Sequence, residues 1–63
     1  MNTGQKVKFI KSSGIYIGIG EEGTCGKFIT EVSENLSLIT AEGFWGEETL
    51  AFKNEDFIPI NED

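Results

Sequence analysis

An all-β fold is what this sequence predicts: a single domain, residues 1–63, built as a small five-stranded barrel or sandwich. Three observations carry that expectation. Eight glycines are scattered through 63 residues, and each costs about 1 kcal/mol inside a helix, so few windows are long enough for one. Short runs alternate apolar and polar residues with the period of a strand. Clusters of turn residues separate those runs at the close spacing of small sandwiches and barrels. A closed ring of strands also removes most of the free sheet edge that invites aggregation.

Taken in order, "QKVKFIK" (5–11) sends Lys6 and Lys8 outward and Val7 and Phe9 inward. "TCGKFITEV" (24–32) is rich in the β-branched and aromatic residues that favour strands. Within it Cys25 reads as inward before Gly26, and Phe28 and Val32 as inward after it, so the two series do not match. A β-bulge at Gly26 reconciles them, because one extra residue flips the facing. "SENL" (33–36) places Asn35 in a tight turn. "LSLIT" (36–40) alternates Leu36, Ser37, Leu38. "AEGFWGEE" (41–48), with two glycines, reads as the next connection, and "ETLAF" (48–52) as the fourth strand. "KNED" (53–56) reads as one helical turn that Asn54 caps. "FIPI" (57–60) closes the chain as an edge strand, since Pro59 has no N–H for a ladder.

Size and charge narrow the function. A chain of 63 residues buries only about 60% of its unfolded surface, so its core is thin and a deep catalytic pocket is not expected. Cys25 is the only cysteine and histidine is absent. An intramolecular disulfide and a Cys/His zinc site are therefore both ruled out. The net charge is −6 with no arginine, a poor basis for phosphate binding. The charge is also uneven. Residues 1–30 carry four lysines against two glutamates, and residues 31–63 carry one lysine against nine acids. That acidic half solubilises the chain or steers it toward a basic partner. No apolar run approaches the ~20 residues of a membrane span. No secretory signal is visible, and the lone thiol fits the cytoplasm.

Three short patterns invite a chemical reading. Gly18, Gly20 and Gly23 have the G-x-G-x-x-G spacing of a dinucleotide loop, which works by opening a helix onto a pyrophosphate. The residues after Gly23 are strand-like, and Glu21 and Glu22 stand where phosphate would approach. The glycines therefore read as turn formers with positive φ, and no cofactor is expected. Cys25 lacks a base or a positive neighbour to activate it and reads as a small core residue. Glu21–Glu22, Glu47–Glu48 and Glu55–Asp56 are adjacent pairs. On a strand, neighbours face opposite sides, so such pairs do not converge as an acid and a base, and no metal site is expected.

Gly4, Val7 and Phe9 form an opening G-x-x-V-x-F strand. Gly20, Gly23, Thr24, Cys25 and Gly26 form a G-x-x-G-T-hydrophobic-G entry to the second strand. Asn54, Asp56, Phe57, Ile58 and Ile60 form a closing turn and strand. In this order the chain resembles the small SH3-like barrels of bacteria and phages, a group that includes KOW-type and Tudor-like modules. The resemblance spans nearly the whole chain. It implies a five-stranded SH3-like barrel with a one-turn 3-10 helix before the last strand. The "ALYDY" segment of proline-peptide readers is missing, so that activity is not implied.

Tyr16, Phe44 and Trp45 lie in connections beside glycines. Loop aromatics either bind partners or close the ends of a thin core. Both uses are open for Tyr16 and Trp45, and Phe44 is assigned first to the core. With Glu42, Glu47 and Glu48 they form a candidate protein-binding surface for a basic partner. The expected function is thus a non-enzymatic binding module or regulator, such as a phage- or mobile-element-encoded modulator of a host protein. An acidic nucleic-acid mimic that inhibits a DNA- or RNA-binding enzyme is the alternative. Direct nucleic-acid binding by Lys6, Lys8, Lys11 and Lys27 on one sheet face ranks third.

Overall fold

A computed structural model describes residues 1–61; Glu62 and Asp63, which the 1–63 domain includes, lie outside the described residues. The chain forms β1 (Lys6–Phe9), β2 (Cys25–Glu31), β3 (Leu36–Gly43), β4 (Gly46–Lys53), a 3-10 turn (Asn54–Asp56) and β5 (Phe57–Pro59). It is all-β. The strands make one antiparallel sheet in the order β4-β3-β2-β1-β5. The ladder does not close. Among the described residues no pairing joins β4 to β5, so the sheet is open where the sequence predicts a ring.

The inner face of the sheet is apolar and nearly dry. Val7, Phe9, Phe28, Ile39, Ala41, Phe52 and Phe57 are buried there, and Ile19 joins them from the long β1–β2 loop. Phe9 sits at the middle, with ring centroids 4.8 Å from Phe52 and 6.1 Å from Phe57. Tilted and edge-to-face rings of this kind add to the burial term. The loop is pinned at its base by Phe9 N donating to Thr24 O and Gly23 N donating to Phe9 O, each at 2.8 Å. Gly18, Gly20 and Gly23 all take positive φ, and the chain passes from Gly23 through Thr24 into β2, with no helix between.

Four local expectations need correction. First, the bulge is not at Gly26. The register runs evenly through Val7–Gly26–Ala41 and shifts between Phe28 and Thr30. Gly26 occupies an inner position so tight that an added Cβ would press on Ile39 and the Thr40 carbonyl. Cys25 is therefore turned outward and is exposed. Second, Val32 is half exposed, since it stands beyond the shifted ladder. Third, Asn54 does not cap the 3-10 turn. Its side chain accepts from Ser37 Oγ at 2.6 Å and donates to Glu34 O at 3.3 Å, tying that turn to the β2–β3 turn. Fourth, the 41–48 connection shrinks to Phe44–Trp45, because ladder pairing continues out to Gly43–Gly46.

That two-residue turn is unusual. The favoured hairpin turns need positive φ at one or both central residues, and neither Phe44 nor Trp45 has it. The mismatch with the strand twist is taken up at Gly46, whose φ is 108°. Space around Gly46 is open, whereas a Cβ at Gly20 (φ 70°) would strike the Phe52 ring. Gly46→Ala should then cost only the backbone strain, about 1 kcal/mol. Gly20→Ala should add overpacking and cost about 3 kcal/mol in all. Urea midpoints check this, and equal losses at the two sites would contradict the packing described.

Candidate functional site

The β3–β4 hairpin is longer than the core beneath it. Inner-face burial ends at Ala41, opposite Glu48. Beyond that pair the strands run outward to the Phe44–Trp45 turn. The tip of the β1–β2 loop meets them there. Ile19 packs close to Gly43, and Phe44 Cβ lies in contact range of Gly18. Two chain segments distant in sequence thus converge on one end of the molecule.

That end is apolar and wet. Phe44 is 80% exposed, Trp45 86% and Ile17 98%. The Phe44 and Trp45 rings touch edge to face, with centroids 5.1 Å apart. An open hollow of about 330 Å³ lies among Ile17, Gly18, Phe44, Trp45 and Glu48. Exposed apolar residues scattered singly are normal, but a contiguous group rimmed by polar residues marks an interaction surface. The core role expected for Phe44 is corrected, because its turn projects past the covered part of the sheet.

Tyr16 behaves differently. Its ring packs edge to face on Phe52 at 5.2 Å, and its hydroxyl donates to Ala51 O at 2.9 Å. It is partly buried and holds the loop against β4. Of the two uses open for Tyr16, closing the core is the one its contacts serve. Sequence reasoning misses Ile17, and with it the exposure of Ile15 two residues before. Their signal is "GIYIGIG", where β-branched residues alternate with glycines in a connection whose core needs only one of them.

The carboxylates divide between faces. Glu42 and Glu47 are direct cross-strand partners, on the outer face with Thr40 and Thr49, whose hydroxyls meet at 2.6 Å. Glu48 stands on the inner face, opposite Ala41, beside the hollow. Among the described residues no ion pair involves any of the three, and the single salt bridge is Lys11–Glu55 at 4.0 Å. Both of its partners are exposed, so it contributes little. Lys6 and Lys27 are cross-strand partners and Lys8 shares their face. Lys11 lies elsewhere, beside the 3-10 turn, so the four lysines do not form one row. Lys6 and Lys27 also share a shallow outer hollow with Glu42 and Glu47, which sets positive and negative side chains around one depression.

Among the described residues no helix is long and apolar enough to cross a membrane. No group of three or more metal-ligating side chains forms among them either. No family model, no curated protein and no solved structure matches this chain.

Phe44→Ala and Trp45→Ala should each change stability by less than about 0.5 kcal/mol, as exposed positions do, while Tyr16→Phe should cost about 1 kcal/mol for the lost hydrogen bond. A loss of about 3 kcal/mol at Phe44 would return it to the core. Glu47→Gln should raise stability by about 0.5 kcal/mol at low salt by relieving the Glu42 contact, and the gain should shrink in concentrated salt. Thermal melts at two ionic strengths measure both effects.

Proposed function

We propose that this chain is a non-enzymatic protein-binding module of the SH3-like barrel type. The sheet order, with β5 returning beside β1 after a 3-10 turn, supports that fold reading. The exposed group formed by Ile17, Phe44 and Trp45 around one hollow carries the functional one. A chain with so thin a core has few large apolar residues to spare, and three of them face water at one end. Aromatic anchors supply most of the affinity in protein interfaces. The three neighbouring carboxylates select a basic partner and speed encounter. A free exposed thiol suits a reducing cytoplasm. A regulator of this size encoded by a phage or mobile element, acting on a host protein, matches the composition and charge.

Mimicry of nucleic acid is the less supported alternative. It asks for carboxylates along one face, and here Glu47 and Glu48 stand on opposite faces. On the outer face lysines share the hollow with Glu42 and Glu47. Direct nucleic-acid binding would draw on Lys6, Lys8 and Lys27, and those same carboxylates oppose it.

Capture from the native host with the intact chain as bait, and kinetics on the protein recovered, test the proposal. Trp45→Ala should weaken binding about 30-fold, the ~2 kcal/mol of a hot spot. Reversing charge at Glu47 and Glu48 should chiefly slow association and flatten its salt dependence. The opposite pattern, with charge decisive and Trp45 dispensable, would favour mimicry.

A further inference from the structure

The two edges of the open sheet are not alike. Ile10 N donates to Asp56 O and Ile60 N to Lys6 O. By the alternation of an antiparallel ladder, Ile58 therefore bonds to β1, and Phe57 and Pro59 point their backbone groups away. Pro59 has no N–H, and β5 is only three residues long. That edge is blunted in the usual way.

The β4 edge is not. Asn54 N donates to Asn35 O, and the Tyr16 hydroxyl reaches Ala51 O from the other side. The two bonds set the same alternation: even-numbered residues of β4 bond to β3, and odd-numbered ones point out. Tyr16 occupies the outward carbonyl of Ala51. The outward N–H and C=O of Glu47 and Thr49 have no protein partner among the described residues. These free ladder groups lie directly beside Trp45 and the hollow that Glu48 lines.

Resting on the protein-binding reading, we propose that the partner binds by adding an extended segment to the β4 edge at Glu47–Thr49. We further propose that this segment carries two adjacent basic residues. The juxtaposition of open ladder positions, an exposed apolar tip and two carboxylates on opposite faces supports it. Strand addition draws affinity from main-chain hydrogen bonds and specificity from alternate side chains. Neighbouring guest residues point to opposite faces. One cation then meets Glu47 and Glu42 on the outer face. The next meets Glu48 on the inner face, its stem lying over Ile17 and its charge near the Trp45 ring, which attracts cations.

A second copy of the chain is the wrong occupant. Tyr16 wraps the edge at Ala51, which leaves only the Glu47–Thr49 side for pairing. Two copies paired antiparallel there would set Glu48 opposite Glu48 in one register, or Glu47 opposite Glu47 in the next. Like charges opposed across a ladder are destabilising.

A blocked eight-residue peptide of alternating threonine and valine, with two adjacent arginines at its centre, is a direct probe. Trp45 is the only tryptophan, so its fluorescence reports occupancy, and amide exchange reports the ladder. Binding should slow exchange at the Glu47 and Thr49 amides. Two further peptides carry N-methyl groups on one edge or the other. One should bind unchanged and the other should bind at least about tenfold more weakly, the effect of lost ladder hydrogen bonds. Separating the arginines by one residue, or introducing Glu48→Gln, should also weaken binding. Equal binding by both methylated peptides overturns strand addition while leaving a protein-binding role intact. Absence of binding by any peptide also overturns it, with host capture still judging the broader role. Dimers of the free chain paired through β4 would overturn it as well.

Discussion

The contact between the β1–β2 loop and Phe52 is what the rest of the structure depends on. The open five-stranded sheet has one apolar face. Its own curl covers part of that face, since Phe9 of β1 and Phe52 of β4 meet at 4.8 Å, and the remainder needs a separate cover. Among the described residues no α-helix is available to provide it. The loop serves instead, through Ile19 in the core and Tyr16 on the Phe52 ring. Gly20 lets the backbone pass directly over that ring, at a spot where any side chain would collide. Packing here must be close, because an interior this small has few other contacts to compensate for a gap.

Loop length then sets how far the cover extends. It covers Phe52 through Gly20 and Gly43 through Ile19, and beyond that only Gly18 at its tip meets the base of Phe44. The β3–β4 hairpin continues past it, which leaves Phe44 and Trp45 without a partner among the described residues beyond each other and the loop tip. Exposure of these two aromatics is therefore a consequence of the mismatch between hairpin and cover. The same mismatch leaves the outer part of β4 as a bare edge, while Tyr16 guards the inner part. Apolar tip and free ladder groups come from one cause and lie at one place.

Charge shows a related division. Lysines gather on β1 and β2, carboxylates at the far end of β3 and β4. The Glu42–Glu47 pair is repulsive within the chain and, among the described residues, makes no salt bridge. Such a pair discourages self-association through the edge. It also leaves a negative potential beside the apolar tip, where an incoming basic group gains most.

Local pattern by itself determined the strands, their number and their order in the chain. Period-two alternation at Val7 and Phe9, and at Leu50 and Phe52, marks a face because side chains on a strand alternate with no help from elsewhere. Breakers such as Pro59 and the turn at Asn35 were legible for the same reason. Only the tertiary structure decided which face each ambiguous residue takes. Cys25 turned outward because Gly26 fits a gap that no side chain can enter, and that gap is made by Ile39 and Thr40 from another strand. Gly43 and Gly46 read as loop residues, yet both pair in the ladder, since cross-strand hydrogen bonding outweighs a weak local preference. The gap between β4 and β5, the exposure of Phe44 and the recruitment of Tyr16 were likewise decided by how far one segment reaches over another. That is a distance between residues remote in sequence, and no local pattern encodes it.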